Sequence, residues 1–167
     1  MQKLFQLSLL ACLCLVLYGC PLQTQVPVDA KPHKIDTVLL GRWRGEKKDG
    51  VYTEYTVMKK SPTMYAITGR EAHSDAYEVR YYYAYLSRVG GSEFLSVFSR
   101  DTTKHGYYLL KLDFASSGNT LKTSWVSEKN NVDISSPAEL RDWINQNMDK
   151  RDFFDSTEIT DIFHRVK

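Results

Sequence analysis

Hydrophobic positions along the chain follow three successive patterns. From Leu4 to Tyr18 an apolar run of 15 residues is interrupted only by Gln6 and Ser8, short of the roughly 18 needed to cross a bilayer. From Gly41 onward Tyr, Val, Thr and Phe recur in short alternating runs bounded by turn residues, the period of strands that bury one face. After Ser136 the period lengthens to about 3.6, that of a helix.

The alternation predicts seven strands in succession. The first covers Gly41 to Glu46, and the Asp49–Gly50 turn leads into Val51 to Lys59, with Val51, Thr53, Tyr55 and Val57 on one face. Ser61–Pro62 introduces Met64 to Gly69. The longest, Ala76 to Arg88, carries Tyr77, Val79, Tyr81, Tyr83 and Tyr85 on one face and Tyr82, Ala84 and Leu86 on the other. Both of its faces are partly apolar, so its outer side needs a cover. Gly90–Gly91 turns into Glu93 to Ser99, then come Tyr107 to Phe114, the turn Ser116 to Asn119, and Thr120 to Ser127.

Ser136, Pro137, Ala138 and Glu139 form a capping box with proline at the first helical position, so a helix begins there. Leu140, Trp143, Ile144 and Asn147, with Met148 beside them, make its inner stripe, suited to docking on the outside of the longest strand. Ile159 to Val166 fits strand or helix, and a closing strand is the preferred reading. Strands in meander, without strand–helix alternation, predict a mainly β fold: one antiparallel up-and-down barrel of about eight strands with one C-terminal helix.

The first apolar run reads as an export leader, with Lys3 as its positive start. It ends in Leu17, Tyr18, Gly19, Cys20, which resembles the lipobox of bacterial lipoproteins. The resemblance implies a signal peptide over residues 1–19, a diacylglycerol on the sulfur of Cys20, and a new, commonly acylated amino terminus at that cysteine. It also implies a membrane partner through this lipid, in a bacterial cell envelope. Pro21 stands where an aspartate commonly retains such proteins at the inner membrane, which implies the outer membrane, facing the periplasm, for a two-membraned source. Cysteine usage agrees with export: Cys12 and Cys14 lie in the leader and none follows Cys20, so no disulfide forms within one mature chain. The alternative is a cleaved soluble protein that starts with a free thiol.

Residues 20–34, with Pro21, Pro27 and Pro32 and no aromatic residue, read as a lipid-anchored tether. Fully extended at about 3.1 Å per residue, the 14 residues from Pro21 to Lys34 would reach about 40 Å. Residues 35–167 then form a single β-rich domain. Its start resembles the calycin superfamily of lipocalin-like barrels: Gly41-Arg42-Trp43 matches their Gly-x-Trp on the first strand, after a short apolar turn at Val38 to Leu40, and a late helix matches the segment from Pro137. The resemblance implies that Arg165, on the last segment, packs on Trp43.

Charge and motifs narrow the function classes. The 22 Lys and Arg against 20 Asp and Glu leave nearly neutral balance with the signs interspersed, and no basic face for nucleic acid is declared. Lys47–Lys48 and Lys59–Lys60 read as solvated strand ends. Glu71, His73 and Asp75 alternate and would share a side in an extended segment, the arrangement of a metal site, but beside Gly69 a solvated hairpin turn is the preferred reading. His33, His105 and His164 are scattered singly. No nucleophile elbow, phosphate loop or zinc-protease motif is present, so neither an enzyme nor a cofactor is argued for.

Tyr81, Tyr83 and Tyr85 are the candidate ligand-binding residues, with rings that grip an apolar or amphipathic molecule at a barrel mouth. The alternative is that they are ordinary core and rim residues of a long strand. Two functions follow: a non-catalytic module binding a small hydrophobic ligand, which is preferred because barrels of about eight strands hold one, or a structural or assembly accessory lipoprotein that binds another envelope protein. The anchor is tested directly. Cys20→Ser is expected to abolish acylation and leave unprocessed precursor in metabolic labelling with a fatty acid, and equal label in mutant and wild type would refute the lipid site.

Overall fold

A computed structural model describes residues 21–46, 52–72, 77–101, 106–130, 132–154 and 160–167. Cys20 and its leader therefore lie outside the described residues, as do His73, Asp75 and His105. The elements are β1 (Gln23–Thr24), a 3-10 turn Thr37–Leu39, β2 (Gly41–Glu46), β3 (Tyr52–Ser61), β4 (Met64–Ala72), β5 (Tyr77–Val89), β6 (Ser92–Ser99), β7 (Tyr107–Phe114), β8 (Thr120–Trp125), a second 3-10 turn Glu128–Asn130, α1 (Pro137–Asn147) and β9 (Thr160–Val166).

Every strand from β2 to β9 pairs antiparallel with its neighbour in sequence, and β9 pairs with β2 as well as β8. The sheet therefore closes into an eight-stranded up-and-down barrel, and the ambiguous last segment is its closing strand. Alternation sends Trp43, Val57, Ile67, Leu86, Leu95, Leu112, Leu121 and Phe163 into one core inside the barrel. At the β5–β6 hairpin, Gly90 and Gly91 take φ of 55° and 80°, the conformation that a tight two-residue turn demands and side chains resist.

A second core lies outside the barrel wall. Phe94 of β6, Leu109 of β7 and Val89 at the end of β5 meet Leu140 and Ile144 of α1, with Val126 and Phe153. The helix starts as the capping box predicts: the Ser136 hydroxyl accepts from the Glu139 N–H at 3.3 Å, and the Glu139 carboxylate accepts from the Ser136 N–H at 3.2 Å. Hydrogen bonds from Ser135 hold that carboxyl below its ordinary range. Arg141 donates to the Arg88 carbonyl at 2.6 Å and ties the helix to β5.

The expected tether is part of this second core, and that reading is corrected. Leu22 and Val28 are buried in it. β1 fills the fork where β8 leaves β7: Pro21 bridges Ser127, the Leu22 N–H donates to the Val126 carbonyl at 2.8 Å, and Gln23 and Thr24 pair with Tyr108 and Tyr107. Farther on the segment runs down the outer wall, with the Val28 N–H on the Ser96 hydroxyl and the His33 N–H on the Leu86 carbonyl. Leu22 and Val28, with Val26 packed beside them, are too sparse among the prolines to register as a period, yet each meets an apolar wall.

One end of the barrel is sealed. Trp43 is 1% exposed, and its indole N–H donates to the Leu39 carbonyl at 2.8 Å. The Arg165 guanidinium lies 4.3 Å from the Trp43 ring and donates to the Leu40 carbonyl at 2.7 Å and to the Val38 carbonyl. Gly41 explains the Gly-x-Trp spacing: its φ is 124°, and a Cβ there would stand 2.9 Å from the Arg165 guanidinium. Trp43→Ala is therefore expected to destabilise the fold by about 3 to 5 kcal/mol, read from urea denaturation. A loss under about 1 kcal/mol would contradict this packing.

Candidate ligand cavity

Among the described residues the opposite end of the barrel is open. There β5 and β9 begin, β8 ends, and a cavity of about 1770 Å³ runs inward from that mouth. Ordinary small-molecule sites occupy about 300 to 1,000 Å³, so this space, which continues from the lumen over the rim to Pro21 and Gln23, has room for such a ligand. Its deep wall is apolar: Leu39, Trp43, Val57, Ile67, Leu95, Val97, Leu110, Leu112, Leu121 and Phe163. Toward the mouth the lining becomes polar and aromatic, with Glu78, Arg80, Tyr82, Ser99, Arg100, Tyr108, Trp125 and Asp161.

Two glycines shape the middle layer. Tyr55 faces Gly69 across β3 and β4, and Phe163 faces Gly45 across β9 and β2. A Cβ on either glycine would approach the facing ring to 2.8 Å. Without one the rings lie close against the wall, where they meet edge to face at 5.4 Å.

Charge concentrates just above this layer and carries both signs. Arg80 donates to both Glu78 oxygens, at 3.0 and 2.8 Å. Hydrogen bonds to Glu78 and Tyr82 raise its pKa above the ordinary arginine value. Burial, helped by Tyr82, Asp161 and Glu71, pushes the Tyr55 phenol up to about 12. The hydroxyl thus stays protonated and can donate to a ligand. An apolar shaft below a rim of mixed charge can hold an amphipathic molecule, its chain buried and its polar end among the rim groups.

The candidate tyrosines are not in this lumen. Tyr82, Ala84 and Leu86 face Ile67, Val97 and Leu95 on the inner side, whereas Tyr81, Tyr83 and Tyr85 lie on the outer wall. Tyr81 is 50% exposed and reaches only the edge of the mouth. Tyr83 and Tyr85 pack on Phe98, at 5.7 and 5.4 Å, and Phe98 packs on Tyr107 at 5.2 Å, which makes a continuous aromatic row outside. Tyrosine occupies both phases of β5, so composition alone does not choose the inner face, and a shift of one residue exchanges the faces. The usable signal lay across the Gly90–Gly91 turn, whose register opposes Leu86 and Ala84 to Leu95 and Val97, an all-aliphatic face.

The remaining candidates stay apart. Glu71 pairs with Glu78 at the mouth end of β4 and β5, while its sequence companions His73 and Asp75 lie outside the described residues. His33 sits 3.6 Å from Asp29, and His164 is exposed, 3.4 Å from Thr120. Among the described residues no three metal-ligating side chains converge. The chain matches no protein family, no curated protein and no solved structure.

Two phenols of the barrel interior set a pH dependence. Tyr55 and Tyr65 are both pushed up to about 12 from 10.0, first of all by burial. In the unfolded chain they ionise near 10. Their contribution to stability is therefore complete below pH 10 and is lost as pH rises toward 12. Urea midpoints measured across that window should fall, and fall less steeply in Tyr55→Phe; an unchanged slope in the variant would contradict the burial of this hydroxyl.

Proposed function

We propose that this chain is a lipid-anchored cell-envelope lipoprotein whose barrel binds a small apolar or amphipathic ligand without chemical change. One observation carries the reading: an apolar shaft, sealed by Trp43 and Arg165, opens under a rim of mixed charge. Space of this size lined by aliphatic side chains favours an apolar occupant. The Trp43–Arg165 stack supports the resemblance to lipocalin-like barrels. The lipobox and Pro21 support an acylated Cys20 and outer-membrane residence in a two-membraned source.

A second function is favoured by a different feature. The outer row of Tyr83, Tyr85, Phe98 and Tyr107 suits an accessory lipoprotein that presents its wall to another envelope protein, since aromatic residues are enriched at such contacts.

Titration with a fluorescent fatty-acid analogue separates the two. The ligand-binding reading expects saturable one-to-one binding by the wild type. Leu110→Glu, which puts a carboxylate in the shaft, should weaken it at least about tenfold, about 1.4 kcal/mol, whereas Tyr83→Phe on the outer wall should leave it unchanged. Absence of saturable binding would favour the accessory reading, and loss in Tyr83→Phe with Leu110→Glu unchanged would contradict binding in the lumen. Native mass spectrometry of the protein purified from its own envelope should reveal a retained small molecule.

A further inference from the structure

We infer that the open mouth of the barrel stands against the membrane surface, so that the partner of this end is the phospholipid bilayer and the cavity is entered from the bilayer side. The inference rests on the proposed acylation of Cys20. Cys20 directly precedes Pro21, and consecutive Cα atoms are 3.8 Å apart. Pro21 lines the mouth and bridges Ser127, just before the rim residue Glu128. The Leu22 N–H is bonded to Val126, and Leu22 is 5% exposed, so no slack chain separates the lipid from the rim.

The described rim carries Glu78, Asp101, Glu128 and Asp161 against Arg80 and Arg100, a balance suited to a zwitterionic rather than an anionic headgroup surface. Half-exposed Tyr81 has the Arg100 guanidinium 5.3 Å from its ring, and tyrosine and basic side chains are the groups that settle at membrane interfaces. The sealed end, with the Ser116–Gly118 turn, lies one length of β7 away, roughly 23 Å at 3.3 Å per residue. An anchor at the mouth therefore places that turn at the end away from the lipid.

The natural chain supplies its own labelling background, because no cysteine follows Cys20 and acylation removes that thiol. Full-length acylated protein carrying Glu128→Cys or, separately, Ser116→Cys is labelled with an environment-sensitive fluorophore and reconstituted into phosphatidylcholine vesicles that contain a headgroup spin-labelled lipid. Gln25→Cys, exposed beyond β1 at the mouth, serves as a second rim position if Glu128→Cys misfolds. The rim label should lose most of its emission and the Ser116→Cys label almost none. Equal quenching, or stronger quenching of the far label, in protein that floats with the vesicles would overturn the inference and leave the anchor intact. Protein whose mass shows no acyl chain and which fails to float would overturn the anchor and this inference together.

Discussion

One end of this barrel is closed by a cation laid over an indole and bonded to the turn before β2. The Arg165 guanidinium covers Trp43 and at the same time satisfies carbonyls of the turn before β2. A cation–aromatic contact is worth up to about 2 kcal/mol when shielded from water, but its position matters more than its strength. Arg165 belongs to β9 and Trp43 to β2, the two strands whose pairing closes the sheet. The stack therefore joins closure of the wall to closure of the floor. Gly41 is the cost of this arrangement, since its φ of 124° strains any side chain and a Cβ there would press on the guanidinium at 2.9 Å.

The two ends of the lumen follow opposite rules as a result. At the floor, polar atoms are paired in a dry setting: the Trp43 indole on Leu39, and the Tyr65 hydroxyl on the Asp36 backbone, which it accepts from at 2.6 Å. At the mouth, Glu78 and Arg80 stay in reach of solvent, where a paired charge is cheap and its partner can exchange. The change from paired and dry to paired and wet occurs within the length of β5, between Leu86 and Glu78. That gradient gives the cavity an orientation, with apolar matter below and polar matter above.

Much of the fold was legible in the chain because its signals are local. Ser136 and Glu139 cap a helix by themselves, Gly90–Gly91 make a turn by themselves, and alternation marks each strand without knowledge of its partner. The candidate site was less legible because it depends on pairing. Which face of β5 looks inward is decided by register with β4 and β6, and tyrosine on both phases hides the answer. Gly45 and Gly69 gain their meaning only opposite Phe163 and Tyr55. The Trp43–Arg165 contact spans almost the whole described chain, and it was anticipated from resemblance rather than from spacing.

The segment expected as a tether shows why proline content is a poor guide to freedom. Where β8 leaves β7, the backbone of Tyr107 and Tyr108 would form a short open edge, the kind of edge that sheets cover or blunt. Gln23 and Thr24 supply the missing pairing. Leu22 and Val28 then anchor the strand from the far side of the wall, and burying each contributes about 1.5 to 3 kcal/mol. Releasing the segment to act as a spacer would expose both side chains and reopen the edge. The same residues that patch the barrel thus fix Pro21 beside Ser127 at its mouth, and the course of the segment becomes a property of the fold.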